Sequence, residues 1–178
     1  AGVAMLLDDP GPDPLVARAV EAVTDRDALL LGALLHDIGK TGEGDHVAVG
    51  TRVAAETLEH MGVSGPTADL ALFLVAEHLL LSDTATRRDL EDENLVLGVA
   101  DRIGDPTRLA ALYLVTIADA EATGPLAWTP WRASLVRDLV VKIQHVLERG
   151  DVGPGTAERL SARAEAIRAA LGREAPDV

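Results

Sequence analysis

The stretch LLHDIGKTGEGDH, residues 34–46, places two histidines and three acidic residues in thirteen positions. It begins inside the run Ala28–Leu35, whose apolar residues predict a buried helix. A carboxylate beside such a helix costs on the order of several kcal/mol unless a cation or a metal compensates its charge. His36 and Asp37 at the end of this run are therefore predicted to have a compensating partner.

The composition is that of a globular domain without disulfides. Of the 178 residues, 48% are hydrophobic, which suffices for a core, and no cysteine is present, which excludes thiolate metal ligands. The 16 basic and 29 acidic residues give a net charge of -13, which repels nucleic acid and anionic membranes. The longest apolar run is too short to cross a bilayer, and the N-terminus lacks a signal-like basic region. We expect a cytoplasmic protein that binds neither nucleic acid nor membrane.

The distribution of apolar residues predicts an all-α fold. Helical spacing recurs in almost every segment, and alternating patterns are scarce. Capping aspartates, prolines at helix starts and glycines at helix ends mark the boundaries. The predicted helices cover residues 13–23, 27–39, 45–61, 64–81, 91–103, 106–121 and 130–149, and another follows Thr156. In the helix over 130–149, a core-facing stripe is predicted for Trp131, Leu135, Leu139, Ile143 and Val146.

Three more polar residues lie in or beside apolar helical segments, namely His46, His78 and Asp119. Taken alone, the dyad has a simple interpretation, in which Asp37 pairs with Lys40 and His36 caps the helix end. The joint pattern favours a metal centre instead. Imidazoles and carboxylates that converge from several helices are how bundles bind Mn, Fe, Co, Ni or Zn.

Five segments of the sequence carry a family resemblance. They are LLHDIGK (34–40), DH (45–46), LVAEHLLLSDTATRRDLED (74–92), LYLVTIADAEATGPLAW (112–128) and WRASLVRDL (131–139). These segments resemble the HD-domain metal-dependent phosphohydrolases, named for an adjacent His-Asp pair. More narrowly, they are similar to the HD domain of bifunctional protein-PII uridylyltransferase/uridylyl-removing enzymes. The resemblance implies an HD-domain helical bundle.

The resemblance also implies the metal ligands and the reaction. The implied ligands are His36, Asp37, His46, His78 and Asp119. Asp37 would bridge two divalent ions, Mn or Mg in the first place, with Fe, Co, Ni or Zn as further possibilities. Two such ions clamp a phosphate and activate a water for in-line attack, so Asp37 counts as catalytic. The implied substrate is a uridylylated tyrosine of the PII nitrogen-signalling protein, and the implied product is UMP.

Three basic residues are candidates for substrate contacts. Lys40, one turn after the dyad, is predicted to contact the phosphate and to assist catalysis, with a surface salt bridge as the alternative. Arg87 and Arg88 are predicted either to hold a phosphate oxygen or to pair with the acidic residues 91–93.

The resemblance further implies neighbouring domains in a longer chain, an N-terminal nucleotidyltransferase and two C-terminal ACT modules. We expect residues 1–149 to form the HD phosphohydrolase domain, truncated at its N-terminus. Residues 150–178 are expected to form a linker and a C-terminal helix toward the ACT modules.

The family carries one more histidine before the dyad, and none precedes His36 here. We expect Ala1–Leu7 to belong to the helix that carries this ligand, with the histidine one or two turns upstream. Metal binding would then be incomplete and turnover low in this chain alone.

Three functional hypotheses follow. The first is the uridylyl-removing hydrolase, favoured by RRDL and TGPLAW. The second is a stand-alone HD phosphohydrolase acting on free nucleotides. The third is a non-catalytic regulatory module with an incomplete metal site.

Overall fold

The computed structural model describes residues 2–40 and 45–149, and within these ranges the chain forms nine helices and no strand. The predicted all-α fold is therefore confirmed. The helices are α1 (Gly2–Asp8), α2 (Pro14–Ala22), α3 (Arg26–Leu35), α4 (His46–His60), α5 (Pro66–Glu77), α6 (Leu80–Arg87), α7 (Glu93–Ile103), α8 (Pro106–Thr123) and α9 (Pro130–Arg149).

Aspartate side chains cap the N-termini of α2, α3, α4, α7 and α8. Each carboxylate accepts a hydrogen bond from a backbone N–H of the first turn, which would otherwise have no partner inside the helix. Part of the acidic excess of the chain therefore serves to start helices. The five caps are Asp13, Asp25, Asp45, Asp92 and Asp105.

Helix α8 is the centre of the fold. All residues from Leu109 to Ala118 are buried, and α1, α2, α3, α5, α6 and α9 pack around it. A helix that is apolar on all sides is typical of such a central position. Asp119 directly follows this buried segment, so the core of the protein delivers one carboxylate to the site described below.

A second, smaller core cluster joins α3, α4 and α5. It contains Leu35 at the end of α3 and Val75 near the end of α5, both almost inaccessible to solvent. Gly32 lets α3 and α5 pack closely beside this cluster, because a Cβ at Gly32 would lie 2.7 Å from a methyl carbon of Leu74 in the main core. The C-terminal ends of α3 and α5 are thus held side by side.

Two predicted helix boundaries are wrong. Helix α3 ends at Leu35 instead of Gly39, and residues 36–39 form a turn. Helix α5 ends at Glu77, and a separate helix α6 begins at Leu80, where the sequence predicted one continuous helix to about Leu81. Neither end carries a glycine or proline stop signal at the right position, so local patterning did not reveal them.

The predicted core position of Trp131 is also wrong, since this residue is 63% exposed. Helix α9 packs through a face further along its length, where Leu139 and Ile143 are fully buried as predicted. Trp131 lies in the first turn, before that face begins.

In the described part of the chain, no helix combines the length and the apolar character that a membrane span requires. The predicted helix after Thr156 and the boundary between residues 149 and 150 lie outside the described residues. That division into domains stays a prediction.

Candidate metal centre

The structure brings the five predicted ligands together. They form two groups of three, and within each group the ligand atoms all lie within 4.8 Å of one another. Asp37 belongs to both groups, which is the arrangement expected of a carboxylate between two ions. The groups are Asp37, His46 and His78, and His36, Asp37 and Asp119.

His36 sits in the turn that ends α3, with its side chain 17% exposed. Its Nδ1 donates to the carbonyl oxygen of Ala33 at 2.8 Å, which leaves Nε2 directed at the site. Nε2 lies 3.3 Å from Oδ1 of Asp119 and 3.4 Å from Oδ2 of Asp37. The hydrogen bond with Asp119 is the main reason that the pKa of His36 is raised and the pKa of Asp119 lowered.

His78 has a different environment, although its ring centroid lies 5.3 Å from that of His36. The residue is 3% exposed, and its Nδ1 donates to the carbonyl oxygen of Val75 at 2.8 Å. Burial lowers the pKa of His78, so the neutral ring is favoured. A backbone carbonyl that holds one ring N–H, with the other nitrogen left as an acceptor, is the usual arrangement of a metal-binding histidine.

Three buried atoms at this point have no hydrogen-bond partner in the described structure, namely Oδ1 of Asp37, Nε2 of His46 and Nε2 of His78. The His78 nitrogen lies 3.7 Å from the Asp37 oxygen, too far for a hydrogen bond. Buried polar atoms without partners are costly, and groups of them call for a bound species. Two imidazole nitrogens and a carboxylate oxygen suit a divalent transition metal.

Gly39 positions the dyad turn against the start of α4. A Cβ at Gly39 would lie 2.0 Å from the carbonyl oxygen of His46 and 2.4 Å from the backbone nitrogen of Gly50. Only a residue without a side chain permits this backbone contact. It brings the turn containing Asp37 next to His46, whose ring centroid lies 5.8 Å from that of His78.

Lys40 donates a 2.7 Å hydrogen bond to Oδ2 of Asp37, and its side chain is 59% exposed. This bond raises the pKa of Lys40, so the ammonium stays charged at neutral pH. The ion pair foreseen as the simple interpretation of the dyad is therefore present. It also puts a cation at the edge of the site, where the predicted phosphate contact would require one.

Arg87 and Arg88 line a groove of about 660 Å³ between α6 and α7, which we call the arginine groove. Arg87 lies 3.4 Å from Asp83 in the same helix, and Glu91 pairs with Lys142 at 2.6 Å. The structure therefore does not contain the alternative pairing of these arginines with the acidic residues 91–93.

Arg102 also lines the arginine groove, although no feature of its sequence context singled it out. Its Nη2 lies 2.6 Å from Oε2 of Glu77, whose side chain is only 14% exposed. Asp45 and Glu77, the chain neighbours of His46 and His78, line the same groove. Arg102 carries no motif, and only its contact with Glu77 in the folded chain reveals it.

The other two histidines of the sequence are surface residues of α4 and α9. His60 and His145 are exposed, and each Nδ1 donates to a carbonyl oxygen four residues earlier in its own helix. Neither belongs to a candidate metal-binding group among the described residues.

Comparisons with known proteins place these features in a family. The HD domain family matches residues 3–104. The chain is 46% identical over 145 residues to the bifunctional uridylyltransferase/uridylyl-removing enzyme of Streptomyces coelicolor, an alignment that covers 82% of this chain and 17% of that protein. With the enzyme of the same name from Novosphingobium aromaticivorans, identity is 38% over 158 residues, or 89% of this chain and 17% of the relative.

A third enzyme of that name, from Azotobacter vinelandii, is 36% identical over 165 residues, which is 92% of this chain and 18% of the relative. The chain thus spans less than a fifth of these relatives. No solved structure matches it. Because the HD domain match covers more than half of the 178 residues and includes the dyad, His46 and His78, the chain belongs to the HD domain family.

Proposed function

We propose that this chain is the uridylyl-removing unit of a longer bifunctional enzyme, a metal-dependent phosphodiesterase that releases UMP from uridylylated PII protein. Residues 1–149 would form the hydrolase domain, and residues 150–178 would lead toward ACT modules. The observation that carries the proposal is the position of Asp37 between two groups of potential ligands, beside buried ring nitrogens that have no partner among the described residues.

The proposed ligands are His36, Asp37, His46, His78 and Asp119. Mn²⁺ or Mg²⁺ are the preferred ions in this proposal, and two of them fit the two groups that share Asp37. The chemistry that bound divalent ions supply is polarisation of a phosphoryl oxygen and acidification of the attacking water. Hydrolysis forms a bond from water oxygen to phosphorus and breaks the bond from phosphorus to the tyrosyl oxygen, which takes up a proton.

The side chains of the site have separate tasks in this proposal. The carbonyl oxygens of Ala33 and Val75 hold the Nδ1–H groups of His36 and His78, so that both rings present Nε2 to the centre. Lys40 keeps its charge and lies at the edge of the site through its bond to Asp37. It is positioned to contact a phosphoryl oxygen and to offset the charge that develops during attack.

The nucleotide end of the substrate is assigned to the arginine groove. Arg87 and Arg88 offer guanidinium donors there, and Arg88 forms no ion pair with any described residue. Guanidinium groups bind phosphate oxygens in a bidentate manner and stack on planar bases. The volume of about 660 Å³ lies within the range of small-molecule sites.

The direct test is release of UMP. The chain is incubated with uridylylated PII and Mn²⁺, and nucleotides are separated by chromatography. We expect slow formation of UMP and unmodified PII, in line with the low turnover expected from the sequence, no reaction in the presence of EDTA, and no reaction for Asp37→Asn. Asp138→Asn is the matched control, because Asp138 is exposed on α9 and lies outside the ligand groups.

Two results would overturn this assignment. Hydrolysis of free nucleotides without attack on uridylylated PII would favour the stand-alone phosphohydrolase. Failure with both substrates, while the chain binds Mn²⁺ stoichiometrically, would favour the regulatory module.

A further inference from the structure

The arginine groove adjoins the candidate metal centre at one of its ends. Glu77, which lines it, is the last residue of α5 and directly precedes the proposed ligand His78. The Glu77 side chain is 14% exposed, and its buried Oε2 lies 2.6 Å from Nη2 of Arg102 on α7. Arg102 is therefore attached to the end of the groove that lies next to the metal centre.

The other two arginines of the groove lie further from that end. Helix α6 starts directly after the turn that contains His78, and Arg87 is its last residue. At 1.5 Å per residue, the length of α6 places Arg87 and Arg88 roughly 10 Å beyond its start. Of the three arginines, Arg102 is the one that contacts a chain neighbour of a proposed metal ligand.

The contact between Glu77 and Arg102 adds little to the stability of the fold. The Arg102 side chain is 57% exposed, and water screens an ion pair in such a position. Removal of the glutamate carboxylate from water is itself unfavourable. Stability alone therefore does not account for a half-buried carboxylate beside the metal centre, whereas the attraction does fix the place of the guanidinium group.

The donors of this guanidinium group are not used up by Glu77. The contact is an ion pair without the angles of a hydrogen bond, and the described residues provide no second ion pair for Arg102. A guanidinium group has five N–H donors in a planar fork and stays charged at any physiological pH. This fork matches the oxygens of a phosphoryl group, which it can bind in a bidentate manner.

We infer that Arg102 is a further substrate-binding residue of this centre, and that its guanidinium group binds the phosphoryl group while Glu77 holds it in place. The inference rests on the proposed function, because that function places the phosphorus at the metal centre. Arg87 and Arg88, at the far end of the groove, are left to contact the nucleoside. Glu77 acts only through Arg102 and is a positioning residue.

Binding measurements test this without catalysis. Calorimetry with the Mn²⁺-loaded chain compares UMP with methyl phosphate, which has a phosphoryl group but no nucleoside. Arg102→Gln should weaken the binding of both by about tenfold or more, the usual effect of losing hydrogen bonds to a charged group. Arg88→Gln should weaken the binding of UMP alone. Arg102→Lys retains the charge without the fork and should recover part of the loss.

Arg52→Gln is the matched control, because Arg52 also forms an ion pair, with Glu56 at 2.9 Å, and does not line the groove. It should bind both phosphates like the unsubstituted chain. Arg102→Gln should keep its affinity for Mn²⁺ and its midpoint of urea denaturation. Three results would overturn the inference, namely unchanged phosphate affinities in Arg102→Gln, a loss confined to UMP, or a loss of Mn²⁺ affinity in parallel.

The proposed function fails by a different result. If uridylylated PII is not cleaved but the binding of both phosphates depends on Arg102, the phosphate site stands and the chain acts on another phosphoester. If Arg102→Gln releases UMP from PII as well as the unsubstituted chain does, and binds methyl phosphate equally well, the function stands and the assignment of Arg102 is wrong.

Discussion

His36 and Asp119 are 83 residues apart in the chain, yet Nε2 of the histidine lies 3.3 Å from Oδ1 of the aspartate. The end of α3 and the late part of α8 meet at this contact. Oδ1 of Asp37, next to His36, lies 3.7 Å from Nε2 of His78, which directly follows α5. With His46 at the start of α4, the site is assembled from four separate helices and depends on the packing between them. The predictions below test its ligands and its supports.

The first prediction concerns Asp37→Ala. Because this carboxylate belongs to both candidate ligand groups, its loss should abolish stabilisation of the protein by metal. We expect Mn²⁺ to raise the midpoint of thermal unfolding of the unsubstituted chain, EDTA to reverse the rise, and the variant to show none. Differential scanning calorimetry measures this. A variant that Mn²⁺ stabilises as strongly as the original would rule out the bridging role.

The second prediction is that His78→Gln weakens Mn²⁺ binding while His145→Gln does not. Loss of an outer partner of a ligand typically costs 10–100-fold in metal affinity, so loss of a ligand itself should cost at least about tenfold. His145 is the control, since it is exposed and donates only to the carbonyl oxygen of Val141. Titration followed by the paramagnetic relaxation of water protons gives both affinities. Identical affinities would remove His78 from the site.

The third prediction concerns Gly39→Ala. The added Cβ would lie 2.0 Å from a backbone oxygen of α4, so the turn must move, at a cost of about 1–3 kcal/mol in unfolding free energy. Metal affinity should fall as well, because the turn carries Asp37. Urea denaturation and Mn²⁺ titration measure the two effects.

Gly98→Ala is the control for that change. A Cβ at Gly98, inside α7, would meet nothing within 4 Å in the described part of the chain, so alanine there should stabilise the protein by roughly 0.5–1 kcal/mol. If both alanine variants changed stability in the same direction, the close contact at Gly39 would not be the reason for the glycine.

The fourth prediction is a pH dependence at the start of α3. Asp25 accepts hydrogen bonds from the backbone nitrogen of Ala28 at 2.9 Å and from Oγ1 of Thr67 at 2.7 Å. These bonds lower the pKa of Asp25 below its ordinary value of 3.8, and the bond from Ala28 has the larger effect. Its contribution to stability is therefore complete above about pH 3.8 and is lost as the pH falls through the lowered pKa.

Asp25→Ala should accordingly cost about 1 kcal/mol at pH 7, the usual value of a helix cap, and much less near pH 2. Asp25→Ser retains a capping oxygen without the charge, so it should lower the free energy of unfolding at pH 7 by less than Asp25→Ala does. Urea denaturation at a series of pH values gives the comparison. A cost for Asp25→Ala that does not change with pH would mean that the carboxylate is not the stabilising form.

Local features of the sequence determined the class of the fold and the identity of the candidate residues. Helical periodicity and capping aspartates such as Asp13 and Asp105 act within a turn or two of the chain. They can therefore be recognised in the sequence without knowledge of the tertiary structure. The polar residues His78 and Asp119 stand out for the same reason, because each interrupts or follows a local apolar run.

Only the tertiary structure decided which of these residues meet and what surrounds them. Packing against neighbouring helices decides three features, namely the end of α3 at Leu35, the break after Glu77 and the exposure of Trp131. Residues nearby in the sequence do not encode which helix lies alongside. The pairing of Arg102 with Glu77 likewise joins side chains that are distant in sequence. Distances of a few ångströms between such groups are set by the close packing of the core. This packing depends on the whole folded chain, so local sequence patterns do not reveal it.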